Sequence, residues 1–214
     1  MTRKLLLVCG VLSSLVYLSA DVIGALRWEG YSYLDQTISE LAAIGSPSRP
    51  LTLALFTLYN VLLIPFAIGV VMTSRRARGA GIMLAGIAGL GVVAALFPIH
   101  VRGYAWTINE TMHSILTATT VFFIVSAMVF ASRALGGGFR IYSIATLVVT
   151  LVSGAMAGWI GRNLADNLPT PWIGIAERIS VFAFLLWVAV LAIVLLNHQR
   201  AAAVSRGRDG MLAA

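Results

Sequence analysis

The chain has 214 residues, 59% of them hydrophobic and 11% charged, with a mean hydropathy of +0.93. Soluble domains average about 45–50% apolar and about 25% charged residues, so a water-soluble globular fold is excluded. Fifteen Lys+Arg against eight Asp+Glu give a formal charge of +7, which would suggest nucleic acid in a soluble protein but here follows from membrane topology. No nucleic-acid partner is expected. Cys9 is the single cysteine, which excludes an intramolecular disulfide framework and any cysteine-based zinc site.

A helix needs about 20 mostly apolar residues to cross about 30 Å of hydrocarbon. Six runs meet that demand: Leu5 to Leu26, Leu51 to Thr73, Ala80 to Pro98, Met112 to Ala131, Ile141 to Ile160 and Gly174 to Leu196. The expected fold is therefore an all-α bundle of six transmembrane helices over residues 1–199, followed by a poorly ordered cytoplasmic tail, 200–214. The cations Arg3, Lys4, Arg75, Arg76, Arg78, Arg133, Arg140, Arg200, Arg206 and Arg208 flank one end of the helices, and Arg27, Arg49, Arg102, Arg162 and Arg178 the other. By the positive-inside rule both termini are cytoplasmic, in a cell inner membrane. Asp21, Glu29, Asp35, Glu40, Glu110, Asp166 and Glu177 fall at or near the outer side, as do Trp28, Trp106, Trp159 and Trp172.

Arg3 and Lys4 ahead of an apolar run ending in Leu18-Ser19-Ala20 imitate a signal peptide, but the run continues through Val22 to Leu26, so an uncleaved first helix is expected. Leu6-Leu7-Val8-Cys9 loosely resembles a lipoprotein box without the upstream hydrophobic region, which leaves Cys9 as a small core residue. In the first outer loop Ser32-Tyr33-Leu34-Asp35 is a capping-box-like start, with Leu34, Ile38 and Leu41 at helical spacing and Gly45 and Pro47 as stops. The spacing predicts a short interfacial helix whose other face, Asp35, Gln36, Ser39 and Glu40, looks to water; the alternative is that this face folds over the mouth of the bundle.

Small residues mark helix crossings in lipid. Gly81, Ala85 and Gly89 on the third helix, and Gly154 with Gly158 on the fifth, are expected at crowded internal contacts, with a homodimer seam as the alternative. Pro65 should kink the second helix, and Asn60 can satisfy carbonyls that the proline frees. No inverted three-helix repeat is evident, which weakens a transporter reading.

Ionisable residues in membrane helices are costly and mark candidate sites. Asp21, His100, Glu110, His113, Glu177 and Arg178 all lie towards the outer end and could converge on one polar pocket. Thr107-Ile108-Asn109-Glu110 is a capping box, which assigns Glu110 a structural role. Asn109, His113, Thr117 and Thr120 form a polar stripe that should face the bundle interior, and His113 is the leading site residue. Ser143, Thr146, Thr150 and Ser153 form a second stripe, read as packing because such hydroxyls satisfy themselves on helix carbonyls.

Glu110 and His113 are spaced to share a helix face, and His100 could add an imidazole. A single divalent metal on His100, His113 and Glu110 or Glu40, with water as the fourth ligand, would suit hydrolysis of a lipid ester or amide. One Glu-x-x-His step is nonetheless half of what a di-iron bundle needs, and a lone interfacial His is more often hydrogen-bonded structure. Arg178 can bind a carboxylate or phosphate of a lipid headgroup, but pairing with Asp21 or Glu110 is the simpler expectation. Nucleophilic triads and nucleotide fingerprints are absent, Gly136-Gly137-Gly138 being a turn without the strand or Lys of a phosphate loop.

Tyr31-Ser32, Ile38-Ser39-Glu40-Leu41-Ala42, Phe97-Pro98, His113 and Glu177-Arg178 together give a chain that resembles the bacterial six-helix membrane family catalogued as domain of unknown function 998. The resemblance implies the topology and an outer polar cluster of Glu40, His113 and Arg178, and implies no established reaction. The family pattern often has an acidic residue soon after Phe-Pro, where this chain has Ile99-His100. The resulting expectation is a polytopic membrane protein whose outward-facing pocket, lined by Asp21, Glu40, His100, Glu110, His113, Glu177 and Arg178, binds a membrane lipid headgroup or small amphiphile. A metal-dependent lipid hydrolase and a small-solute transporter are the alternatives.

Overall fold

In the computed structural model the backbone is described for residues 2–212 and the side chains for 3–199. Six long helices account for the six apolar runs: α1 (Thr2–Leu26), α2 (Arg49–Thr73), α3 (Arg78–Ala94), α4 (Ile108–Leu135), α5 (Gly137–Gly161) and α6 (Ile173–Leu212). Two 3-10 turns, Ser39–Ala42 and Arg162–Asp166, and one isolated bridge between Ile44 and His100 complete the regular structure among the described residues. Five helices are long and apolar enough to cross a membrane, and α3 is a shorter apolar helix. The protein is thus an all-α, multi-pass membrane protein. At 1.5 Å rise per residue α3 extends only about 25 Å. α1 runs unbroken past Ala20 to Leu26. The expected tail, 200–214, lies outside the residues whose side chains are described.

Boundaries differ from the apolar runs where polar residues build caps. α4 starts at Ile108 rather than Met112, because Thr107 accepts from the Asn109 amide and Glu110 reaches back to the Thr107 amide. This is the capping box expected from the sequence. Pro50 occupies the first turn of α2, where its missing N–H costs nothing.

The helices stand in a ring in chain order, each packed on its sequence neighbours, with α6 closing against α1. The short links 74–77 and Gly136 force α2 on α3 and α4 on α5, since they have no length to cross the bundle. Leu7, Phe66, Leu84, Met128, Trp187 and Leu191 fill one end of the ring with a dry apolar core. Arg3, Lys4, Arg75, Arg76, Arg78, Arg133 and Arg140 belong to the segments around this same end. Ser14 donates to the Leu185 carbonyl (2.9 Å) and Trp187 Nε1 to Ser143 Oγ (2.9 Å), tying α6 to both of its ring neighbours.

The glycine contacts differ from expectation. Gly81 does pack tightly on α2, an added Cβ lying 2.6 Å from Val71. Ala85 and Gly89 face outward, and the close approaches of α3 fall instead at Gly86 against Phe123 and Gly91 against Asn60. On α5, Gly154 meets Ser180, whereas a Cβ on Gly158 would meet nothing within 4 Å. A four-residue spacing identifies a helix face without saying which way the face looks. Asn60 donates to the Phe56 carbonyl (3.0 Å), on its own helix, rather than to a carbonyl freed by Pro65.

The loop 27–48 departs most from its prediction. The short helix shrinks to the turn Ser39–Ala42, and its segment is tucked into the ring, with Ile38, Leu41 and Ala43 buried. The Leu41 carbonyl accepts from Ser46 Oγ (3.0 Å), Ser48 Oγ (2.8 Å) and Thr52 Oγ1 (2.8 Å), which anchors the loop to the start of α2. Glu40 does not look to water: it is 2% exposed.

Candidate functional site

Opposite the apolar core, the ring opens into a cavity of about 1600 Å³. Its wall changes character with depth. The polar part carries Ser39, Glu40, His100, Arg102, Glu110, His113 and Glu177; Leu116, Val121, Ile124, Phe184 and Leu185 make the apolar part. The structure therefore brings five of the seven predicted pocket residues to one wall, and leaves Asp21 and Arg178 off it.

Those two form a sealed pair behind the cavity. Arg178 donates from Nη2 to Asp21 Oδ1 (2.9 Å) and from Nε to Oδ2 (3.3 Å), with the two residues 6% and 2% exposed. Nη1 reaches the carbonyls of Tyr33 (3.0 Å), Gln36 (3.0 Å) and Gly174 (3.1 Å), and Nη2 the Tyr31 hydroxyl (2.5 Å). Each guanidinium nitrogen is thereby engaged by protein. Tyr31 in turn donates a hydrogen bond to the Thr37 carbonyl (2.8 Å), and its burial pushes the phenol pKa up. Gly174 is obligatory at this crossing, because a Cβ there would lie 2.3 Å from the Gln36 oxygen and 2.4 Å from that of Tyr33.

Glu40 is held by four donors: the Thr37 amide (2.7 Å) and hydroxyl (3.1 Å), and Arg102 through Nε (2.6 Å) and Nη2 (3.0 Å). Arg102 Nη2 also meets the Asp35 carbonyl. The hydrogen bond it donates to Glu40 raises the Arg102 pKa, so this cation stays charged. Sequence reading placed Arg102 only as one of the outer cations. The signal that could have singled it out was the need of a buried Glu40 for a partner.

His100 is positioned by backbone pairing between two loops: the Ile44 amide donates to the Ile99 carbonyl (2.7 Å) and the Val101 amide to the Ile44 carbonyl (3.0 Å). Its own amide (2.8 Å) and its Nδ1 (2.7 Å) both reach Glu110 Oε1, while Oε2 takes the Thr107 amide (2.9 Å) and hydroxyl (2.5 Å). Glu110 thus performs the structural role expected of a capping box and holds the His100 ring as well. His113 reaches Ser39 Oγ through Nε2 (3.3 Å), and its ring also lies against the Phe97 backbone. Glu177 accepts from the Ile38 amide (2.5 Å) and weakly from Ser39 Oγ (3.4 Å). His100 and Glu110 are in contact, and His113 engages Ser39; no three His, Cys, Asp or Glu residues are grouped to hold a metal among the described residues.

Of the α4 stripe, His113, Thr117 and Thr120 line the cavity and Asn109 does not. The α5 stripe is buried, Thr146 and Ser153 donating to carbonyls one turn back as expected. Thr150 is the exception. It is 2% exposed, it lies on the cavity wall, and its hydroxyl has no partner.

Residues 11–194 match the family described as protein of unknown function DUF998. The chain belongs to that family. The matched span contains the whole cavity wall and the Asp21–Arg178 pair. No curated protein and no solved structure matches the chain.

Proposed function

We propose that this family member binds an amphiphile in the cavity, with the head among the polar groups and the apolar part below them. We also assign it six spans in the cytoplasmic membrane, with both termini inside and the cavity mouth outside, a reading supported by the basic residues gathered around the opposite end. The observation that carries the binding reading is the wall itself: one continuous surface that grades from ionic to apolar. Because Arg178 is consumed internally and Arg102 is bound to Glu40, head recognition falls to the other wall residues.

A metal-dependent hydrolase acting on the same ligand is the second reading, favoured by the presence of His100, Glu110 and His113 on one wall. Transport of a small solute needs a polar path through the other end, and the apolar core around Trp187 occupies it.

Native mass spectrometry of the protein released from gentle detergent tests these readings. A retained amphiphile that is lost in Thr117→Trp, where the indole fills the cavity, supports binding. A wild type that emerges bare and takes up no added amphiphile refutes it. A metal adduct lost in His113→Ala moves the assignment to the hydrolase.

A further inference from the structure

The helix ring has one weak seam. α4 and α5, joined at Gly136, pack on each other less extensively than any other sequence neighbours in the ring, and the cavity is lined by both. Thr117 and Ala118 of α4 and Leu151, Ala155 and Gly158 of α5 all line the cavity and are all exposed. At Gly158 an added Cβ meets nothing within 4 Å, so no neighbouring side chain packs on the helix there. These residues lie within helices long and apolar enough to cross a membrane, so what faces the seam is bilayer rather than water.

Arg162 puts a cation at the head of this seam. Arg162 follows α5 directly, lines the cavity, and makes no ion pair among the described residues. Its guanidinium lies over the Trp159 ring, 4.1 Å from the centroid. Stacking covers the face of the fork and leaves its N–H edge for a planar or tetrahedral oxyanion. Deeper along the same wall, the Thr150 hydroxyl stands buried and unpartnered.

We infer that the ligand is an anionic membrane lipid that enters sideways between α4 and α5, with its phosphate or carboxylate on Arg162 and its chain in the cavity. This rests on the amphiphile-binding reading and adds a charge class and a route. Lateral entry spares the chain any exposure to water, whereas passage through the mouth would require the outer loop 27–48 to release its bonds to the loop 95–107.

The test uses the full chain in nanodiscs containing a trace of phosphatidylglycerol or phosphatidylcholine with a photoactivatable group on the acyl chain. Labelled peptides are then mapped by mass spectrometry. Phosphatidylglycerol should label the cavity faces of α4 and α5, about tenfold more than phosphatidylcholine, the loss expected when a charge-assisted contact is missing. Arg162→Gln should erase that preference. Gly158→Trp should abolish the labelling, while Gly89→Trp, at an equally open glycine facing outward on α3, leaves it unchanged. Equal labelling by both lipids, or cavity labelling that survives Gly158→Trp, overturns the proposal. A water-soluble anionic amphiphile that binds wild type and Gly158→Trp alike would leave the binding reading standing and remove the lateral route. No cavity labelling by any probe would remove both.

Discussion

Arg178 of α6 grips Asp21 of α1 through two hydrogen bonds, 2.9 and 3.3 Å long, behind the wall of a cavity that neither residue lines. The pair closes the ring where its last helix meets its first, and the remaining donors of Arg178 hold the carbonyls of Tyr33 and Gln36. One guanidinium therefore fixes both a helix contact and the loop over the bundle mouth.

Removing one partner of such a pair leaves the other charge buried and alone, at a cost of about 3–5 kcal/mol. Arg178→Ala and Asp21→Ala should each lower the thermal midpoint of the detergent-solubilised protein sharply. Arg178→Lys should recover little, because a point charge cannot serve acceptors spread around a planar fork. A midpoint within error of wild type for either alanine variant would show that the pair is dispensable.

Gly174→Ala should destabilise by about 1–3 kcal/mol, the range for overpacking. The methyl group would collide with two backbone oxygens held by Arg178, which cannot turn away as a side chain would. Gly158→Ala, with open space around its Cβ, provides the contrast and should be neutral or better by unfolding midpoint.

Thr107→Ala removes one half of the α4 capping box and should cost about 0.5–2 kcal/mol. Glu110→Ala should cost more, since it also strips His100 of the acceptor for its amide and its ring. Comparing the two variants by thermal unfolding separates the cap from the His100 contact; equal losses would mean that His100 contributes nothing.

Tyr31 gives an alkaline signature. Its phenol pKa is raised in the folded state by burial, so the native state holds the proton more tightly than the unfolded chain. The associated stability is fully present below the ordinary tyrosine value of about 10 and is lost as pH rises towards the folded value. Tyr31→Phe should be less stable at neutral pH, having lost the hydroxyl between Arg178 and the Thr37 carbonyl, yet should lose less on going to alkaline pH. An unchanged alkaline slope in the variant contradicts this.

Composition and apolar run length alone determined that this is an all-helical membrane chain, because lipid leaves the backbone no partner but itself and so makes a long apolar run a helix. The α4 cap was equally legible, since Thr107 and Glu110 are three residues apart and their bonds are local. Only the tertiary structure decided that Ala85 and Gly89 face outward, that Glu40 is buried on Arg102, and that Arg178 is spent on Asp21 rather than offered to a ligand. Each of these depends on which helix lies beside which, and on loops too short in periodic pattern to announce that they fold inward. A side chain's chemistry is written in its residue type; whether that chemistry is free depends on partners brought from far along the chain, as Asp21 is to Arg178 across 157 residues.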